Sequence, residues 1–129
     1  MSIRYVNVDC ILHSDNVLSE AIDFLRSNVF CLWEKVSVDS SSFGLETNLV
    51  NSETPEEDIL EFVRLFESLP PDLRRLIDLC TEKTFDIGFE GGVSENVLDT
   101  TLSASMIEKI HEFGFSVTIR IYPAAEEHK

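Results

Sequence analysis

A few groups of residues in this sequence have types and spacings that could do chemistry. Cys10 and His13 stand in a C-x-x-H arrangement, half of a zinc site. A structural zinc needs about four ligands, and no second pair follows. His111 precedes Glu112 but has no histidine four positions on, which excludes the H-E-x-x-H metalloprotease helix. No run of acids alternates around a glycine as a calcium loop requires. The stretch "FDIGFEGGVSEN" (85–96) carries Gly88, Gly91 and Gly92, the only place where a phosphate cradle could be sought. Val93 and Ser94 follow Gly92 where a Walker loop needs Lys and Ser/Thr, and the spacing is not G-x-G-x-x-G. Asp86, Glu90 and Glu95 would also repel a phosphate. Gly88 therefore reads as a bulge or a close backbone approach, and Gly91-Gly92 as a turn with positive φ.

Covalent catalysis has no local signature either, since the chain lacks a G-x-S-x-G elbow. Carboxylate pairs are plentiful, but 24 acidic residues in 129 guarantee them, so no chosen pair argues for acid–base catalysis. No cofactor and no metal are expected.

Charge is the strongest signal. The chain holds 10 basic and 24 acidic residues, a formal net charge of −14. Residues 53–99 carry 13 acids against 4 bases (net −9), while residues 100–129 carry 4 against 3 (net −1). Such a surface repels nucleic acid and anionic lipid and attracts basic partners. The acids best placed to form a recognition surface are Glu53, Glu56, Glu57, Asp58 and Glu61 in one group and Asp86, Glu90, Glu95 and Asp99 in another. Asp9, Glu46, Asp86 and Arg120 also fall on the polar side of four strands and are expected on the wet face of one sheet. Trp33, in an apolar strand, is expected in the core; exposed, it would be an interface anchor.

The elements that must position these residues follow from hydrophobic periodicity. "IRYVNVDCIL" alternates, with Val6, Val8, Cys10 and Leu12 on one face and Tyr5, Asn7 and Asp9 on the other. "HSDN" caps a helix from about residue 16 to 27, with Val17, Leu18, Ala21, Ile22 and Leu25 inward. "VFCLWEKVSV" and "FGLETNLV" read as a strand pair joined by "DSSS". Thr54, Pro55 and Glu57 open the next helix with a capping box, and Ile59, Phe62, Val63, Phe66 and Leu69 form its apolar stripe. "LPPD" ends it, because proline cannot continue a helix, and a short helix follows with Leu73, Leu76, Ile77 and Cys80 inward. "TFDIGFEG" is a strand, and "SASMIEKIHEFG" a helix capped by Ser103 and stopped by Gly114, with Met106, Ile107, Ile110 and Phe113 inward. "FSVTIRIYP" closes the chain, with Phe115, Val117, Ile119 and Ile121 on the apolar side.

The expected fold is a single α+β domain over residues 1–129, with 124–129 a frayed tail. It has a mainly antiparallel five-stranded sheet with helices on one face, in the order β-α-β-β-α-α-β-α-β. The first four strands have a ferredoxin-like succession, with a helix and a strand appended. No apolar run approaches the ~20 residues of a membrane span. The N-terminus lacks the pattern of a signal peptide, and three widely spaced cysteines suit reduced thiols. Cytoplasmic location is the resulting expectation.

The features "LPPDLRRLI", a strand ending in glycines, "LSASMIEKI" and a closing strand ending in Tyr-Pro resemble a family of small bacterial α+β domains of unknown function, over residues 43–123. That resemblance implies a fold and no activity. In size and charge the chain is also similar to immunity proteins, which neutralise a cognate secreted toxin, often a basic nuclease, by binding it. The leading expectation is thus a non-enzymatic binding protein of that class, acting on a basic toxin domain through its acidic groups. The alternatives are an enzyme or small-ligand module with a site in a sheet cleft near Asp9, Asp86 or His111, and a homo-oligomer pairing through an edge strand.

Overall fold

The computed structural model of the chain describes residues 3–91 and 97–123. In chain order the elements are β1 (Arg4–Ser14), α1 (Ser19–Leu25), β2 (Val29–Val36), β3 (Ser41–Thr47) and α2 (Pro55–Glu67). They continue with α3 (Pro71–Asp78), β4 (Glu82–Glu90), α4 (Ala104–Glu112) and β5 (Ser116–Tyr122). This is the succession that periodicity predicts. The five strands form one sheet in the order β2-β3-β1-β4-β5. β1 is central and antiparallel to both β3 and β4, and β2 is antiparallel to β3. β5 runs parallel to β4, so the sheet is mixed rather than purely antiparallel. A helix joins β4 to β5, and such a crossover returns the chain in the same direction. The first four strands keep the order of the split β-α-β arrangement, with α4 and β5 added at the β4 edge.

One core lies between the sheet and the helices. Val8, Cys10 and Leu12 of β1, Phe43 and Leu45 of β3, and Phe85, Ile87 and Phe89 of β4 meet Ile59, Phe62 and Phe66 of α2. Phe85 stacks on Phe115 with ring centroids 4.2 Å apart, and Phe115 in turn stacks on Phe66. Each such buried side chain stabilises the fold by ~1.5–3 kcal/mol before the entropy of ordering is subtracted. The other face of the sheet is half-buried to exposed, as period-two strands require.

The helix starts hold together by caps. The Glu57 amide donates to Thr54 Oγ1 at 3.4 Å, while Glu57 Oε2 accepts from the Glu53 amide at 2.9 Å, one residue before the reciprocal capping-box position. Ser103 Oγ accepts from the Met106 amide at the start of α4. The Ser103 amide itself donates to Glu56 Oε1 at 2.6 Å, joining the first turns of α2 and α4.

Five expectations need correction. β1 changes register between Tyr5 and Asn7, so Tyr5 turns to the core side and Val6 is exposed, the reverse of simple alternation. α1 is shorter than residues 16–27 and lacks a side-chain cap of its own. The Leu18 amide donates instead to Ser41 Oγ on β3, and Val17 stays outside. Trp33 is 42% exposed. Ile107 points outward from α4. Val117, Ile119 and Ile121 align with Phe85, Ile87 and Phe89 on the core side but remain exposed, because β5 is the outermost strand.

Candidate interaction surface

The helix-free face of the sheet collects side chains in cross-strand rows. Phe30 of β2 pairs with Glu46 of β3, Asp9 of β1 with Asp86 of β4, and Asp86 with Thr118 of β5. The β1–β3 register, one step beyond Cys10–Leu45, sets Glu46 beside Asp9. Three carboxylates thus occupy one row on three neighbouring strands, with strands spaced about 4.8 Å apart. Like charges facing each other across strands oppose folding. Partial burial, with Glu46 and Asp86 as neighbours, pushes the Asp9 carboxyl up to about 6.

Arg120 relieves one end of the row, its Nε donating to Asp86 Oδ2 at 2.8 Å. Asp86 Oδ1 is buried and has no hydrogen-bond partner among the described residues. Asn7 Nδ2 donates to Asp9 Oδ1 at 3.3 Å, and Arg4 pairs with Glu90 at 2.8 Å further along the same face.

Two glycines bracket the row, and each accommodates an aromatic ring. A Cβ on Gly44 would collide with the Trp33 indole at Nε1, so the indole lies directly over the bare backbone of β3. A Cβ on Gly88 would lie 2.9 Å from Asn7 Oδ1 and 3.4 Å from Tyr122 Cε2. Gly88 is therefore a site of close approach, opposite the β1 bulge, as the sequence suggests. Gly91 adopts φ 111°, the left-handed turn expected after β4; Gly92 and Glu95 lie outside the described residues. Phe30, 61% exposed, stands at the β2 end of the row. The face thus alternates aromatic surface with carboxylates, a combination that suits cationic side chains through both charge and ring contact.

The acids singled out from the sequence divide sharply. Asp58 is 4% exposed and forms a buried node rather than part of a surface. Thr47 Oγ1 donates to its Oδ1 at 2.7 Å, and Ser52 Oγ to its Oδ2 at 2.9 Å. The Tyr5 hydroxyl also donates to Oδ2. Burial first, then the Asp58 carboxylate, raises the Tyr5 phenol well above its ordinary value, so it stays a donor. Helical spacing carries the missed signal: Asp58 sits four residues before Phe62 and seven before Leu65, on the apolar stripe of α2.

Glu56 is spent on Ser103 and Glu57 on the Glu53 amide, while Glu61 is half-buried on α2. Glu53, Glu57 and Asp99 are exposed. Asp86 and Glu90 belong to the open face, each in an ion pair. The two acidic groups therefore do not form one epitope. The α2 group lies along the helix layer, where Glu56 reaches Ser103. Asp86 and Glu90 lie on the open sheet, and Asp99 lies apart from both, in the wall of a groove with Ile119 and Ile121.

Other candidates are weaker. A cavity of about 210 Å³ beside Asn7, Glu46, Asn51, Ser52 and Asp58 is smaller than the ~300–1,000 Å³ of ordinary ligand pockets. His13 is held by Ser42, and His111 is exposed on α4. Cys10 and Cys80 are buried free thiols, and burial pushes Cys80 up to about 11. Among the described residues no three His, Cys, Asp or Glu side chains are grouped to hold a metal, and no helix is long and apolar enough to cross a membrane. Comparison with family models, curated proteins and solved structures finds no match to this chain.

Proposed function

We propose that this chain is an immunity-type binding protein that neutralises a basic toxin domain by covering it with the open face of its sheet. The observation that carries this reading is the carboxylate row Glu46–Asp9–Asp86 set beside the exposed aromatics Phe30 and Trp33. Rigid aromatic anchors next to desolvated charges are the usual composition of a binding hot spot. A net charge of −14 adds long-range steering towards a basic partner. The row's mutual repulsion also supports the reading, because a partner's lysine or arginine placed over it would relieve a cost that the free protein bears. A nuclease-type domain, basic where it meets nucleic acid, offers the matching surface.

The test is co-expression with a panel of basic toxin domains, followed by affinity measurement on any pair in which growth is rescued. Reversing two charges together, Glu46→Lys with Asp86→Lys, is expected to weaken binding at least tenfold. Trp33→Ala should do likewise, and affinity should fall with added salt. Reversal at Glu53 is expected to change affinity less than twofold. Rescue by no member of the panel, or binding indifferent to salt and to the double reversal, would overturn the proposal.

A further inference from the structure

The sheet has two edges, and among the described residues β2 is the better protected. β2 carries a register shift between Cys31 and Trp33, and its Glu34 is tied to Arg26 at 3.2 Å, with Lys35 next along the strand. Bulges and charges are the devices by which natural edges avoid pairing. β5 has no bulge, its single charge, Arg120, is committed to Asp86 of β4, and its register against β4 runs unbroken from Ser116 to Tyr122. Its core-side row Val117, Ile119 and Ile121 is apolar and uncovered, with Ile119 64% exposed. Beside it lies a mainly apolar groove of about 270 Å³ between Ile3, Phe89, Leu98, Ile119 and Ile121, with Asp99 also in its wall.

We propose that β5 pairs antiparallel with β5 of a second copy of this chain, about a two-fold axis through Ile119, joining two sheets into one of ten strands. Charge selects the occupant. In a chain of net −14, β5 itself carries no acid and a single base, Arg120, so two copies meet along it with little repulsion. Register selects the axis. Centred on Ile119, the pairing sets Val117 opposite Ile121 and Ile119 opposite itself, an apolar row across both copies. Arg120 then faces Thr118, and Tyr122 faces Ser116, on the other side of the sheet. An axis through Arg120 would oppose two guanidinium groups, and one through Thr118 would leave Tyr122 outside the strand pairing. A two-fold contact must be self-complementary, and the Ile119 register satisfies that condition. The outer backbone of β5, which pairs with no strand among the described residues, gains partners in the same step. The open-face carboxylate row is left free in both copies, so the dimer does not compete with the binding proposed above.

Sedimentation or light scattering of the full chain at roughly 100 μM, where a micromolar Kd leaves mostly dimer, tests the pairing. The expected mass is twice the 14.6 kDa of one chain. Ile119→Lys is expected to return single-chain mass with an unchanged circular dichroism spectrum, since the side chain is exposed. Independently, the Ile119→Cys variant should cross-link to itself on mild oxidation, where the unmodified chain and the Val38→Cys variant do not. This second readout decides the case if Ile119→Lys fails to fold. A single-chain mass for the unmodified protein, a dimer that survives Ile119→Lys, or no cross-link in the Ile119→Cys variant would overturn the proposal.

Discussion

Asp58 and Asp9 are both acidic residues on amphipathic elements, yet the structure treats them in opposite ways. Asp58 is buried at the start of α2 and surrounded by donors from Thr47, Ser52 and Tyr5, so its charge is matched on every side. Asp9 is half-buried at the centre of the open face, with a long contact to Asn7 and two carboxylates for neighbours. Burial alone does not determine what an acid does. The donors gathered around it decide whether it holds the fold together or works against it. An acid that strains the free protein is the better candidate for recognition, because a partner can supply what the fold withholds.

The largest expected effect breaks the Asp58 side of this contrast. Asp58→Ala leaves two hydroxyls and a phenol without their acceptor and is expected to cost about 3 kcal/mol, read by urea denaturation. Tyr5→Phe removes one of the three bonds and should cost nearer 1 kcal/mol.

Asp9→Asn is expected to act in the opposite direction. In the folded protein the Asp9 carboxyl titrates near 6, against an ordinary 3.8, so between those values the native state binds more protons than the unfolded chain. Stability from this group therefore falls as pH rises from about 4 to about 6, and the full penalty remains at neutral pH. Replacing Asp9 by Asn should stabilise the protein at pH 7 by roughly 1 kcal/mol, allowing for solvent screening, and flatten that slope. Unfolding midpoints at pH 4.5 and 7 check both statements. An unchanged slope would show that burial and the neighbouring carboxylates together do not raise the Asp9 carboxyl as described.

The smallest effect sharpens the comparison. Arg120→Met removes a cation that touches the row, from a pair in which the arginine is largely exposed and Asp86 mostly buried, and should cost roughly 0.5 kcal/mol. In an Asp86→Asn background the same change should cost nothing measurable, which a double-mutant cycle would show.

The sequence carries most of the fold because its periodicities are clean. Phe85, Ile87 and Phe89 declare β4, Thr54-Pro55 declares the start of α2, and Asp9, Glu46 and Asp86 can be placed on one face before any coordinates. What escaped depends on long-range geometry. The bulge that turns Tyr5 inward is a property of the pairing between β1 and β4, not of β1 alone. The alternation of β5 correctly assigns Val117, Ile119 and Ile121 to the core side, but no local pattern tells that the strand lies beyond the helices' reach. Asp58 was legible as part of the apolar stripe of α2; its charge hid that, since the three donors come from β1, β3 and the loop before α2.

The central position of β1 also sets a timetable for synthesis. Cys10 pairs with Leu45 on one side and with Phe85 on the other, so the second neighbour leaves the ribosome much later than the first. Until β4 emerges, only three of the five strands are available and β1 is their bare edge. α2 is already made and can cover Val8, Cys10 and Leu12, but the backbone of β1 that faces β4 waits for its partner. The distant partner slows closure of the fold, and the waiting edge is where a growing chain is most exposed to wrong pairing.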